Sequence, residues 1–349
     1  MIKNIFIIFL ILLFNSCSFD TRSGIWTKET ISLNSEENKD IKELFKKEIL
    51  NENELNPDLK IEIKSFAENK NKHNGNNYGA FKVLSNFKNI SKFSFKKIEY
   101  FDQFEPEPVF IDKELIFFDK QGTIIRFDEK SKIKWKVNHY SKKEKKLLPF
   151  IKFAKKGKNL LVTDNLAKIY LINATNGRLI WKNEHEVSFI SQLKIEDDKF
   201  YLLDANNTFT CFSLLDGKVI WNFKREKKLI NSQKQTSVII NKDNIIFNNS
   251  NGEIISLDKF SGNLNWLTPT IEYGESLQSF LVKNSDLVLF DNSIYFSNNK
   301  NSFISLDVNS GFVNWKQNIS SYLRPVIIDN IIFTVSPKGY LYVIEKNTG

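Results

Sequence analysis

Leu171-Ile-Asn-Ala-Thr-Asn-Gly177-Arg-Leu-Ile-Trp181 sets the pattern of this chain: an apolar run, a polar turn ending in glycine, three residues, then tryptophan. The pattern returns as Phe212-Ser-Leu-Leu-Asp-Gly217-Lys-Val-Ile-Trp221 and as Ile255-Ser-Leu-Asp-Lys-Phe-Ser-Gly262-Asn-Leu-Asn-Trp266. It returns again as Ile304-Ser-Leu-Asp-Val-Asn-Ser-Gly311-Phe-Val-Asn-Trp315. A degenerate copy, Ile124 to Trp135, lacks the glycine, and a sixth, Leu341 to Gly349, stops at it. The five tryptophans are 46, 40, 45 and 49 residues apart. Self-similarity at about that period marks a solenoid or a propeller, and it takes precedence over any local reading.

Within one repeat, residues 278–315, four short β-rich runs are separated by Asn/Asp/Ser/Gly turns: Leu287–Phe290, Ile294–Ser297, Phe303–Leu306 and a run around Trp315. Four short antiparallel strands make one propeller blade. The expected fold is therefore all-β, a propeller of four-stranded blades. Blade 1 should run from about Pro108 to Val137, and further blades should span about 149–184, 190–224, 236–269 and 278–319. A last blade should start near Leu323. The glycine suits a positive-φ turn, and the tryptophan is large enough to fill the space between blades. Asp258 and Asp307, four residues before their glycines, align with Asn173, Ser213 and Glu345; all are turn-capping types.

Ahead of the repeats, Met1 to Ser16 has a lysine, an apolar run too short to span a bilayer, and a small residue before Cys17. Residues 1–16 read as a signal peptide. Residues 17–89 read as a polar tether that can hold a short helix over Ser35–Leu50 and a strand over Lys60–Phe66. Residues 90–349 read as the propeller. Cys211 falls in the run Thr208–Leu214 and reads as a buried small hydrophobe. The net charge is +9, but there are few arginines and the lysines are dispersed, which suits a solvated surface better than nucleic-acid recognition. His73, His139 and His185 have no metal-ligand spacing and read as solvated. There is no phosphate loop, nucleophile elbow or cysteine pair, so neither a cofactor nor a metal is expected.

These repeats, with Gly-x-x-x-Trp after a strand, resemble those of the pyrroloquinoline-quinone-type propellers. With Cys17 placed like the acylated cysteine of a lipoprotein, the chain is similar to the BamB family of accessory lipoproteins. The resemblance implies an eight-bladed, non-enzymatic scaffold anchored through Cys17 to the outer membrane, facing the periplasm. It implies docking to the periplasmic domains of the barrel-forming protein BamA and service to nascent outer-membrane proteins. By repeat position it places the partner contacts near Leu229, Ile230, Asn231 and Asp286. Leu229 and Ile230 interrupt a charged connection, Lys224 to Lys234, where they can either tuck onto a blade or meet a partner. The alternatives are a periplasmic quinoprotein dehydrogenase and a general envelope-binding propeller. With six blade starts in view, the family's count of eight implies a C-terminally truncated chain. Ile90–Ile98 is expected to be a closing strand, with Phe93 and Phe95 standing where other blades place tryptophan, and a gap should separate it from the sixth blade.

Overall fold

The computed structural model describes residues 77, 92–98, 107–226, 231–232, 234–271 and 281–349. The chain divides into two units, Met1–Ile61 and Glu62–Gly349, and every described residue lies in the second. That unit is a β-propeller built of consecutive antiparallel blades. Blade 1 comprises β1 (Val109–Ile111), β2 (Glu114–Phe118), β3 (Ile124–Phe127) and β4 (Ile133–Val137). After a single 3-10 turn (Glu144–Leu147), blade 2 comprises β5 (Ile151–Lys156), β6 (Asn159–Asp164), β7 (Lys168–Asn173) and β8 (Leu179–Glu184). Blade 3 comprises β9 (Lys194–Glu196), β10 (Lys199–Leu203), β11 (Thr208–Ser213) and β12 (Val219–Lys224). A two-residue strand, β13 (Asn231–Ser232), precedes blade 4: β14 (Val238–Asn241), β15 (Asn244–Asn248), β16 (Glu253–Asp258) and β17 (Leu264–Pro269). Another, β18 (Leu281–Val282), precedes blade 5: β19 (Val288–Phe290), β20 (Ser293–Asn298), β21 (Ser302–Asp307) and β22 (Val313–Gln317). Blade 6 shows β23 (Val326–Ile328), β24 (Ile331–Val335) and β25 (Leu341–Glu345). In every blade the strands pair in sequence order.

Burial explains why these strands read as apolar runs and not as clean alternation. In blades 1 to 5 the second and third strands are covered on both faces, as in β6 and β7, where Leu160, Leu161, Val162, Ile169, Tyr170 and Ile172 are all buried; in blade 6, β24 alternates and β25 is largely uncovered. Each core cluster draws on two successive blades. One joins Leu161 and Leu171 of blade 2 to Phe200 and Phe212 of blade 3, and the next joins Phe209 of blade 3 to Phe247 of blade 4. A blade has no core of its own; its apolar faces are satisfied by its neighbours, as in other repeat folds.

The repeat motif is the joint itself, and it works across blades. Trp181, Trp221, Trp266 and Trp315 each donate their indole N–H to a carbonyl in the turn of the following blade. The acceptors are Leu214 at 3.0 Å, Lys259 at 3.2 Å, Val308 at 3.2 Å and Lys346 at 2.9 Å. The ring then lies flat against the glycine of that same turn. A Cβ on Gly262 would stand 2.6 Å from Trp221 Cε3, and one on Gly311 2.5 Å from Trp266 Cε3. Both glycines also hold φ near +70° (74° and 72°). Glycine is thus required twice over, by its backbone and by the ring of the preceding blade. Asp258 and Asp307 cap these turns: each carboxylate accepts two backbone N–H groups and the Ser261 or Ser310 hydroxyl. Those bonds hold both carboxyls below the usual range.

The joint between blades 1 and 2 is built differently. Arg126, in β3, donates to Ala174 O at 2.7 Å, the carbonyl that the indole takes in the other joints. The guanidinium is fixed by a 2.6 Å bond to Glu114, and Trp135 Nε1 is buried with no hydrogen-bond partner among the described residues.

Residues 92–98 correct one expectation. They form no strand, although one backbone bond runs from Lys120 N to Lys96 O. They pack on blade 1, with Phe93 against Phe127 at 5.3 Å and Phe95 against Phe117 at 4.9 Å between ring centroids, and Ile98 enters the same core. Alternation suits strand pairing, but what it supplies here is an apolar cover for a sheet face. Among the described residues β25 pairs with β24.

Candidate functional site

Where the first strands begin, blades meet that are not neighbours in sequence. Gln192 of blade 3 donates to Asp286 of blade 5 at 3.1 Å. Arg324, ahead of blade 6, donates to the other Asp286 oxygen at 2.7 Å and stands 3.8 Å from Glu107, ahead of blade 1. Among the described residues, the contacts that skip blade 4 and that link blade 6 to blade 1 lie where the first strands converge. The convergence is polar. Thr236 O accepts from Gln192 N, Leu287 N donates to Ser237 Oγ, and Lys152 of blade 2 donates to Ser191 O at 2.9 Å and Phe189 O at 3.3 Å.

Two lysines in this region are not surface charges. Burial pushes the Lys152 ammonium down to about 7, and the Lys194 ammonium down to about 8 against the partial support of Asp286. Lys194 Nζ lies 2.5 Å from Asn77 Oδ1. Asn77 Nδ2 in turn lies within 3.2 Å of Ser237 Oγ, Gln192 Oε1, Leu287 O and Val238 O. The arrangement is one of hydrogen-bond and ion-pair recognition, with each charged group met by an opposite charge or an amide.

The sequence-based site residues fall in different places. Cys17, Leu229 and Ile230 lie outside the described residues, as do His73, the leader, the helix over 35–50 and the strand over 60–66. Asn231 opens β13, which pairs in parallel with β18, Asn231 opposite Leu281 and Ser232 opposite Val282. The connections before blades 4 and 5 thus form a small ribbon. Close to it, Lys234 donates to Tyr322 O at 2.9 Å and the Lys283 ammonium sits 5.2 Å over the Tyr322 ring. Asp286 is four residues beyond β18, but its carboxylate turns inward to Arg324 and Gln192 and is only 13% exposed.

Two readings of solvated residues are corrected. His139 sits against Tyr170 with ring centroids 5.2 Å apart, and burial lowers its pKa. His185 stacks on Phe189 at 5.1 Å, with Nε2 3.5 Å from Asp204. Both follow the fourth strand of a blade, where the crossing to the next blade tucks them against its aromatic residues. Cys211 is fully buried in β11, and burial pushes its thiol up to about 12, as a structural cysteine requires. Among the described residues no group of three or more His, Cys, Asp or Glu side chains is placed to hold a metal. Sequence reasoning missed Lys152, Gln192, Lys194 and Arg324. The available signal was a polar residue recurring at or just before the first strand of a blade, in otherwise apolar surroundings.

Comparison with known proteins gives the following. The profile of the family described as outer membrane protein assembly factor BamB matches residues 120–349. No curated protein matches in sequence. Among solved structures, BamB from Moraxella catarrhalis superposes with a TM-score of 0.60 at 15% identity, covering 71% of this chain and 74% of that one. A computationally designed protein, Ika8, gives 0.52 at 10% identity, covering 68% and 70%. A europium-containing methanol dehydrogenase gives 0.50 at 9% identity, covering 61% of this chain and 51% of the enzyme.

Proposed function

The chain belongs to the outer membrane protein assembly factor BamB family, and from that premise we propose that it is a non-enzymatic scaffold lipoprotein of the outer-membrane β-barrel assembly machinery. In this reading Cys17 carries the lipid that holds the protein on the periplasmic face of the outer membrane. The propeller binds the periplasmic domains of BamA and helps pass on nascent outer-membrane proteins. The observation that carries the reading is the family match, which extends through blades 2 to 6.

The partner surface we propose is the connection before blade 4, with Leu229, Ile230 and Asn231, together with the ribbon it makes with β18. A short strand with an open edge offers main-chain hydrogen bonds to an incoming strand, and apolar residues beside it offer anchors. Asp286 acts in this scheme from behind. Its ion pair with Arg324 fixes the segment that follows β18 and ties it to blade 6.

The test is affinity purification of the tagged full chain from solubilised envelopes. BamA in the eluate supports the proposal. Its absence, with the chain intact and membrane-bound, counts against it, and a quinone absorption band on the purified protein favours the dehydrogenase reading instead.

A further inference from the structure

The contacts around Asn77 are more specific than the anchoring of a loop requires. The Asn77 amide nitrogen faces four oxygens, Ser237 Oγ at 2.8 Å, Gln192 Oε1 and Leu287 O at 3.0 Å each, and Val238 O at 3.2 Å. The amide oxygen faces one donor, the Lys194 ammonium, at 2.5 Å. Ser237, Val238 and Leu287 are fully buried and Lys194 nearly so. The groups lie in or just before the first strands of three blades, and Asn77 is separated from them by 115 to 210 residues. A pocket with acceptors on one side and an ammonium on the other matches the two ends of a primary carboxamide, which has two N–H donors and one acceptor oxygen. A carboxylate is a poor substitute, because its second oxygen has no proton to offer the acceptors. An apolar side chain takes the amide oxygen from the Lys194 ammonium and leaves Ser237 Oγ and Gln192 Oε1 with the bonds from Leu287 N and Val238 N but without the amide donor, inside a desolvated site.

We propose that the inner ends of blades 3, 4 and 5 form a socket selective for the primary carboxamide of an asparagine or glutamine on a peptide segment, and that Asn77 of the chain itself occupies it. This inference is independent of the partner assigned above, because it rests on the socket alone. Asn77 closes the asparagine-rich stretch Asn69 to Asn77, so the chain supplies its own ligand.

The test uses the full chain with Asn77→Ala, which empties the socket, and a fluorescent synthetic peptide of residues 72–82 as probe. The peptide should bind the variant and bind the unsubstituted chain, whose socket is filled, at least about tenfold more weakly. A peptide carrying Asn77→Asp should also bind the variant about tenfold more weakly, the effect of one unmet buried hydrogen bond. Equal binding of the two peptides, or no binding to the variant, overturns the proposal. A measurement within the chain guards against a variant that does not fold. At neutral pH Asn77→Asp should lower the melting temperature more than Asn77→Ala, and the excess should shrink as the pH falls and the new carboxyl regains a proton to donate. An aspartate variant that melts with the unsubstituted chain at neutral pH also overturns the proposal.

Discussion

Replacing Gly262 by alanine tests the inter-blade joint directly. Two costs fall on one methyl group. The first is conformational: an L-residue held at φ +74° costs roughly 1–2 kcal/mol. The second is steric. The new Cβ would lie 2.6 Å from Trp221 Cε3 and 2.7 Å from Cδ2. The ring cannot swing away freely, because its N–H is held by Lys259 O in the same turn. Overpacking of this kind costs about 1–3 kcal/mol, so the sum is roughly 2–5 kcal/mol. For a unit of this size that corresponds to a fall in melting temperature of roughly 4–10 °C. Gly157 is the internal control: its φ is +57° and nothing lies within 4 Å of its Cβ direction. Gly157→Ala should therefore show the conformational cost alone, about 1–2 kcal/mol. Thermal melts followed by circular dichroism, with urea midpoints as a check, compare the two variants. If Gly262→Ala loses no more stability than Gly157→Ala, the glycine is there for its backbone only, and the argument that it receives the preceding tryptophan is wrong.

Other expectations follow from the same geometry. Arg126→Met should cost about 1–3 kcal/mol in urea unfolding, because it leaves Ala174 O and part of Glu114 unmet, whereas Lys134→Met on the exposed side of Glu114 should stay within about 1 kcal/mol. Stability should rise between pH 7 and 9. Lys152 and Lys194 are depressed to about 7 and about 8 in the fold, so in that range the unfolded chain binds more protons than the folded one. Lys152→Met and Lys194→Met should each flatten the rise, which is lost above pH 9 as unfolded thiol and phenol groups ionise ahead of the buried Cys211 and Tyr170. Cys17→Ala should abolish labelling by an alkyne fatty acid and release the chain from membranes; unchanged labelling rules out Cys17 as the attachment point.

The blades were legible in the sequence because their signal is repeated. Four near copies of a strand, turn, glycine and tryptophan constrain one another, and Trp181, Trp221, Trp266 and Trp315 each stand in a joint as that repetition implies. What the repetition hid was direction: glycine and tryptophan of one copy never meet, because each tryptophan meets the glycine of the next. The exception at Arg126 was also invisible, since a guanidinium in place of an indole leaves no trace in the spacing. The polar convergence was harder still. Lys152, Gln192, Asp286 and Arg324 are far apart in sequence, and only closure of the blades brings them together. Nothing in the sequence singles out Asn77, because asparagine-rich stretches are usually loop; its amide is buried by groups more than a hundred residues away. The 92–98 segment misled because a cover strip and an edge strand need the same alternation.

The proposed role of this propeller as a docking scaffold in outer-membrane protein assembly stands or falls on a calorimetric titration of the purified full chain with the purified periplasmic domains of BamA. Saturable binding in a one-to-one ratio is expected, weakened at least about tenfold by Leu229→Asp with Ile230→Asp, as when apolar anchors are lost from an interface. Binding that survives both substitutions would move the interface elsewhere on the propeller. No binding by the folded, unsubstituted chain would contradict that role itself.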